Sequence, residues 1–296
     1  MAEPLRVAVR RGEIVESVHL VHAVAVRRGA VVAEAGDRSL VASLRSSAKP
    51  IQALPLARAY ENLETEELAI AAASHFGQPQ HVEAVRRLLA ATGGREEELD
   101  CGVQEGRPPS PIYHNCSGKH AAMIAVCRAN GWPVEGYRLR DHPLQRLLAD
   151  EVADAAELEP ADVRSGTDGC GVVAFAVPLE RAAAIFSRLD KLDGGGRIAE
   201  AMRAYPELIG GDGATDTQLM RALPGWVAKG GAEGLLCAAS PDGVGVALKA
   251  ADGNARALRP ALARFGAELG LDVSFFADVS LRNTHGEAVG AVLANC

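Results

Sequence analysis

Aromatic residues make up only 4% of the 296-residue chain, and its 31 Lys and Arg are outnumbered by 38 Asp and Glu. The net charge of −7 argues against a nucleic-acid backbone as partner, because that ligand needs a basic surface. No stretch approaches the roughly 18 uninterrupted apolar residues of a membrane span. The start, Met1-Ala2-Glu3-Pro4-Leu5-Arg6, lacks the basic opening and apolar run of a secretory signal. Cysteine is sparse as well. The six at 101, 116, 127, 170, 237 and 296 form no dense framework, so free thiols in a reducing cytoplasm are expected. Asp193-Gly194-Gly195-Gly196 is not followed by the Gly-Lys-Ser/Thr of a phosphate loop, and no organic cofactor is expected.

What the chain does have is 48% hydrophobic residues, enough for a sizeable core, with no internal repeat and no convincing linker. One domain over 1–296 is the expectation. Residues 6–36 alternate in the manner of a hairpin or short meander with polar turns. Helical patterns follow at 51–59, 64–92 (in two pieces), 121–129 and 144–156, and a run over 174–192 reads as mostly helical. Residues 197–223 read as helix split by Pro206 and by Gly210-Gly211-Asp212-Gly213. Two strands, opened by Lys229-Gly230-Gly231 and ending at Ala250, precede a helix over 255–269 and a strand around 272–276.

Four stretches carry chemistry. Ser46 and Lys49 stand three apart at a helix start, a spacing that puts both on one face. A serine becomes nucleophilic when a lysine of lowered pKa takes its proton, and the apolar run 51–59 would bury this one. S-x-x-K is the nucleophile pattern of penicillin-binding proteins and class A β-lactamases, whose second lysine lies on a strand as Lys229 does. A capping serine looks the same, however, and so does Ser74, which sits where a helix breaks. His114-Asn115-Cys116-Ser117-Gly118-Lys119-His120 crowds polar groups onto a helix start, where backbone N–H groups can hold a carboxylate. Thr167-Asp168-Gly169-Cys170-Gly171 adds a carboxylate and a thiol on a tight turn.

Together with Arg45-Ser46-Ser47-Ala48-Lys49-Pro50, Ala73-Ser74-His75 and Arg203-Ala204-Tyr205-Pro206-Glu207, these blocks resemble, in order and over almost the whole chain, the bacterial L-asparaginase II family of the serine-dependent, thermolabile type. The resemblance implies a mixed α/β (α+β) fold similar to β-lactamases and serine-dependent glutaminases. Its parts would be a central, mostly antiparallel sheet, flanking helices and a helical subdomain. It also implies a cytoplasmic homodimer hydrolysing L-asparagine. Ser46 would pair with Lys49, and Ser74 with Lys229, although Lys249 in Leu248-Lys249-Ala250 is a competing strand lysine. Arg45, Asp168, Asn115 and His120 would stand beside the substrate, and Cys116, Lys119 and Cys170 would form a zinc site. The rival expectations are a serine-dependent glutaminase or other amide hydrolase, and a non-catalytic zinc-binding sensor of the same fold.

Overall fold

The computed structural model describes residues 2–294, so Cys296 lies outside it. In chain order the first elements are β1 (Leu5–Arg11), β2 (Ile14–Arg27), β3 (Ala30–Ala35) and β4 (Val41–Ser43). Helices α1 (Lys49–Gln52), α2 (Leu54–Ala59), α3 (Thr65–Ala71), α4 (Pro79–Ala91), α5 (Ser117–Ala129) and α6 (Pro143–Ala156) follow. Next come β5 (Arg164–Thr167), β6 (Val173–Pro178), α7 (Leu179–Arg188), α8 (Gly195–Ala204), α9 (Pro206–Ile209) and α10 (Thr215–Ala222). The chain closes with β7 (Val227–Gly231), β8 (Leu235–Ala239), β9 (Val244–Ala250), α11 (Leu258–Glu268), β10 (Asp278–Arg282) and β11 (Ala288–Ala294). This is the expected mixed α/β architecture with an antiparallel sheet and helices.

The chain divides into two compact units, each drawn from separate stretches of sequence. The first takes in the chain up to Ala42, Pro178–Ser187 and everything from Gly230 on. Its sheet has the order β10-β11-β1-β2-β9-β8, with β3 also on β2. The pairs β10-β11, β11-β1, β1-β2, β2-β3, β2-β9 and β9-β8 are all antiparallel. Alternation makes the buried face: Val7, Val9, Val21, Ala23 and Ala25 are sequestered, and so are Val246 and Leu248 on β9. Helix α11 packs on β1, β9 and β11. Gly245 lets β9 meet α7, since a Cβ there would stand 2.0 Å from the Ala183 carbonyl.

The second unit, Ser43–Val177 with Arg188–Lys229, is mostly helical. Helix α5 is buried almost all round, from Ser117 to Cys127. It can lie against α3 only because residue 118 has no side chain: a Cβ there would sit 2.0 Å from the Ile70 carbonyl. Strands β5 and β6 pair antiparallel and hold the turn 168–172 between them.

Three expectations need correction. The strand opened by Lys229 stops at Gly231 and a turn at 232–234 starts β8, so three strands rather than two lead to Ala250. The run over 174–192 begins as a strand, because Val173, Phe175 and Val177 alternate inward before Pro178 and the helix α7. Around 272–276 there is only a short 3₁₀ turn; the strands lie later, in the hairpin β10-β11, which joins β1. The polar turn Asn283-Thr284-His285-Gly286 makes that hairpin, with Gly286 at φ 81°.

Candidate active site

All of the expected site residues belong to the second unit. The Leu44 N–H bonds the Phe175 carbonyl at 2.8 Å, which lays the start of the S-x-x-K segment beside β6. Arg45 then takes a left-handed backbone, φ 45°, a conformation that costs free energy in a residue with a Cβ. From there its Nε donates to Asp168 Oδ1 at 2.8 Å, and Gly169 N donates to the same oxygen at 2.7 Å. Residues 45–48 form a 3₁₀ turn that runs into α1, with positions three apart on one face. Ser46 is half-buried there, whereas Ser47 is buried and donates to the Lys229 carbonyl at 2.8 Å.

Lys49 has no exposed surface. Its Nζ lies 2.5 Å from the Ala73 carbonyl, 3.1 Å from the Asn115 carbonyl and 2.9 Å from Ser74 Oγ. Burial pushes this amine down to about 8; the Cys116 and Cys170 thiols oppose the shift, and the Lys119 and Lys229 charges reinforce it. The three contacts orient its lone pair. Carbonyls only accept, so in neutral Lys49 both N–H bonds go to Ala73 and Asn115, and the lone pair faces the Ser74 hydroxyl. The structure therefore ties Lys49 to Ser74, and among the described residues no hydrogen bond joins Lys49 to Ser46. Lys229 Nζ lies 3.3 Å from Asp216 Oδ2, with side-chain exposures of 1% and 6%. Lys249 belongs to the first unit and donates to the Glu233 and Ala250 carbonyls.

A second cluster stands beside the first. Cys116 caps α5, its N–H taken by His114 Nδ1 at 3.0 Å. Its thiol is held well below the usual range by a hydrogen bond from Cys170, against the opposing effect of burial and with help from Lys49 and Lys119. Cys170 moves the other way, raised by that bond and by burial. Lys119 Nζ donates to Cys170 Sγ at 3.1 Å. Although burial works against its charge, the two thiols raise its proton affinity. All three are nearly sealed from solvent, and both cysteines are free of disulfides. The two sulfurs are donors that zinc takes, whereas the Lys119 amine would have to give up its proton to join them, and its proton affinity is raised. No three His, Cys, Asp or Glu side chains among the described residues form a group that could hold a metal ion.

His120 is placed differently from the rest. It is wholly buried, with Nδ1 2.6 Å from the Tyr137 hydroxyl. The Tyr137 hydroxyl also accepts from Asp100 N, and its contact with His120 braces α5. Arg203 of the Arg-Ala-Tyr-Pro-Glu block bonds Asp190 and the Gly225 carbonyl, a structural task. Two residues at the site carry little or no signal in the sequence. Asp216 sits in a polar helix start with nothing to mark it, and His75 is marked only by standing next to Ser74. His75 accepts from Gly77 N at Nδ1, so its Nε2 donates to Ser117 Oγ at 2.9 Å, a chain that pins Ser74 to the start of α5.

Residues 7–294 match the model of the L-asparaginase II family. The chain belongs to this family. No curated protein matches it. Among solved structures it is similar to Mglu in its native form, at 14% identity and TM-score 0.48, over 86% of this chain and 62% of that one. It is likewise similar to Mglu in its tris and glutamate form, at 14% identity and TM-score 0.46, over 89% and 63%. A β-lactamase from Mycobacterium bovis is similar at 14% identity and TM-score 0.35, over 79% and 88%. The chain thus spans a little under two thirds of the length of the Mglu structures.

Proposed function

We infer that the protein hydrolyses the side-chain amide of L-asparagine to aspartate and ammonia, with residues 1–296 acting as one catalytic domain. Family membership supports the reaction class. The observation that carries the chemistry is Lys49: a buried amine, lowered to about 8, whose two hydrogens are fixed by carbonyls and whose lone pair faces a serine hydroxyl.

Ser46 is the nucleophile in this reading. Its hydroxyl is half-buried and engages no described protein group, which leaves it open to substrate. Ser46 Oγ bonds to the amide carbon while its proton passes through the Ser74 hydroxyl to Lys49. The proton then returns to the departing nitrogen, the C–N bond breaks, and ammonia leaves an aspartyl ester on Ser46. Water, deprotonated along the same Ser74–Lys49 path, cleaves that ester. Arg45 presents its outer N–H groups to the substrate's α-carboxylate, and Asp168 takes the α-ammonium. Asn115 lines the same place.

Zinc, held by Cys116, Lys119 and Cys170, would supply a fixed positive charge that orients a substrate carboxylate or water. On the family's pattern the protein works as a homodimer in the cytoplasm, which light scattering and cell fractionation address. No described helix is long and apolar enough to cross a membrane.

One observation favours a second reading in which Ser74 is itself the nucleophile, namely its 2.9 Å contact with Lys49. Acid-quenched protein incubated with asparagine and weighed by intact mass spectrometry separates the two. An aspartyl adduct on Ser74→Ala but not on Ser46→Ala supports Ser46; the reverse pattern moves the role to Ser74. Ammonia release from asparagine beside glutamine fixes the substrate. A wild-type protein silent on both removes the hydrolase reading and leaves the sensor.

A further inference from the structure

Arg107 is half-buried in the second unit and belongs to none of the blocks that build the serine and thiol clusters. It stands at the end of a tight turn. Its N–H donates to the Gln104 carbonyl at 3.2 Å, and Gly106 between them takes φ 75°, a conformation that suits a residue without a Cβ. Both ends of this turn reach the segments that carry the candidate site. Gln104 Oε1 accepts from the Asn115 N–H at 2.9 Å. A single nitrogen of Arg107, Nη1, donates to the Tyr113 carbonyl at 2.7 Å and to the His75 carbonyl at 3.1 Å. Gly77 makes room for it, since a Cβ there would stand 3.0 Å from Nη1 and 3.0 Å from the Tyr113 oxygen.

These two carbonyls lie on the same two segments that hold Lys49. From Ala73 to His75 the chain runs forward, and from Asn115 to Tyr113 it runs back by the same number of residues, as in an antiparallel pair. Lys49 is one bridge across the pair and Arg107 is the next. No backbone hydrogen bond among the described residues joins 73–77 to 112–116, so side chains set their separation. His75 adds a link of its own, through Ser117 Oγ at the start of α5. The two bridges differ in chemistry. A lysine that gives up its proton loses an N–H and the charge that strengthens its hydrogen bonds, whereas a guanidinium keeps both.

We propose that Arg107 is a positioning residue: by bridging the His75 and Tyr113 carbonyls it fixes the spacing of the Ala73 and Asn115 carbonyls, which aims the Lys49 lone pair at Ser74. Arg107 makes and breaks no bond in the reaction. Losing its bridge misdirects the lone pair while leaving Arg45 and Asp168 in place for the substrate, so the effect falls on kcat more than on KM.

The catalytic part of this assignment rests on the proposed function, whereas the spacing does not, and the two are read separately. Arg107→Gly removes the bridge and leaves space for a guanidinium ion. Its kcat for asparagine is expected to fall at least about tenfold with KM changed less than about threefold. Added guanidinium chloride should restore part of kcat where sodium chloride does not, and Arg107→Lys, whose ammonium can also donate to two carbonyls, should recover part of it. Hydrogen–deuterium exchange needs no turnover. Amides at 73–77 and 113–117 are expected to exchange faster in Arg107→Gly and to slow again with guanidinium, while the rest of the second unit stays as in the wild type. Unchanged exchange in both segments overturns the proposal. So does a raised KM with kcat intact, which would make Arg107 a substrate ligand, and so does a loss of kcat that neither guanidinium nor lysine reverses. If Arg107→Gly does not fold, Gly77→Ala presses on the guanidinium from the other side and should lower kcat and speed exchange in the same segments; wild-type values for both overturn the proposal. A wild type without ammonia release overturns the asparaginase reading only, because the exchange reports the spacing either way.

Discussion

Lys49 and Lys119 are equally buried, lie within one unit and feel each other's charge, yet their proton affinities are displaced in opposite directions. Burial alone would push both down. What separates them is the nature of the partner. Backbone carbonyls and a hydroxyl solvate an ammonium without neutralising it, so the desolvation cost of Lys49 survives and the amine form becomes accessible near neutrality. Thiols can become thiolates, and Cys170, Lys49 and Lys119 all favour that form of Cys116, which in turn raises the proton affinity of Lys119. The serine corner is thus built to let a proton go, and the thiol corner to keep one.

The contrast can be broken most severely at Lys49. Lys49→Arg keeps a cation but removes any chance of a neutral base, and should lower kcat/KM for asparagine by roughly 10²- to 10⁴-fold. An ammonia-release assay that finds nearly full activity in this variant ends the base assignment. At the other corner, Cys116→Ala should abolish stoichiometric zinc, read by elemental analysis of protein purified with the metal. Unchanged zinc content would remove the metal site.

A gentler probe is pH. Lys49 must be neutral to act, and its folded value is about 8, so activity rises with pH. The acid limb of kcat/KM should have its midpoint near 8 and lie about tenfold lower at pH 7 than on the plateau. A flat profile from about pH 6 to about pH 9 contradicts this. The same residue links to stability. Its folded value lies below its unfolded one, so between about 8 and 10.5 the unfolded chain binds more protons and stability climbs with pH across that window. Below about 8 both forms are protonated and this contribution is flat; urea denaturation at several pH values checks the slope.

Gly118→Ala forces α3 and α5 apart and should cost about 1–3 kcal/mol, measurable in urea. The smallest effect belongs to Lys249→Ala, expected to leave stability within about 0.5 kcal/mol and kcat/KM nearly unchanged. A large loss there would reopen the choice between the two strand lysines.

Much of the fold is legible in the residues. The meander at the start, the buried segment after Ser46, the helix opened by the Asn-Cys-Ser-Gly-Lys-His block and the strand bearing Lys229 all follow from period and turn chemistry. Strand β6 is hidden because its inward Val173, Phe175 and Val177 lead straight into the apolar helix α7, with no polar break at the junction. The C-terminal hairpin is hidden because β10 is mostly polar and partly exposed, with little apolar contrast to mark it. Within the site, residue types can be named but not pairings. Ser46 and Lys49 are neighbours by spacing, yet the hydrogen bond of Lys49 goes to Ser74, 25 residues on, where α3 ends. Asp216 is the same lesson from the other side: a carboxylate in an unremarkable polar turn acquires its meaning only from a lysine on a later strand.

The two carbonyls that grip Lys49 have a mechanical consequence. One belongs to Ala73, immediately before Ser74, and the other to Asn115, immediately before Cys116. A single amine is the knot between the peptide that leads into Ser74 and the peptide that leads into Cys116. Any ligand that draws Cys116 toward itself tugs on that knot, and any proton that leaves Lys49 slackens it. A ligand on Cys116 and the proton on Lys49 would therefore be read by one spring, and by thermodynamic reciprocity a pH that shifts the second would shift affinity for the first.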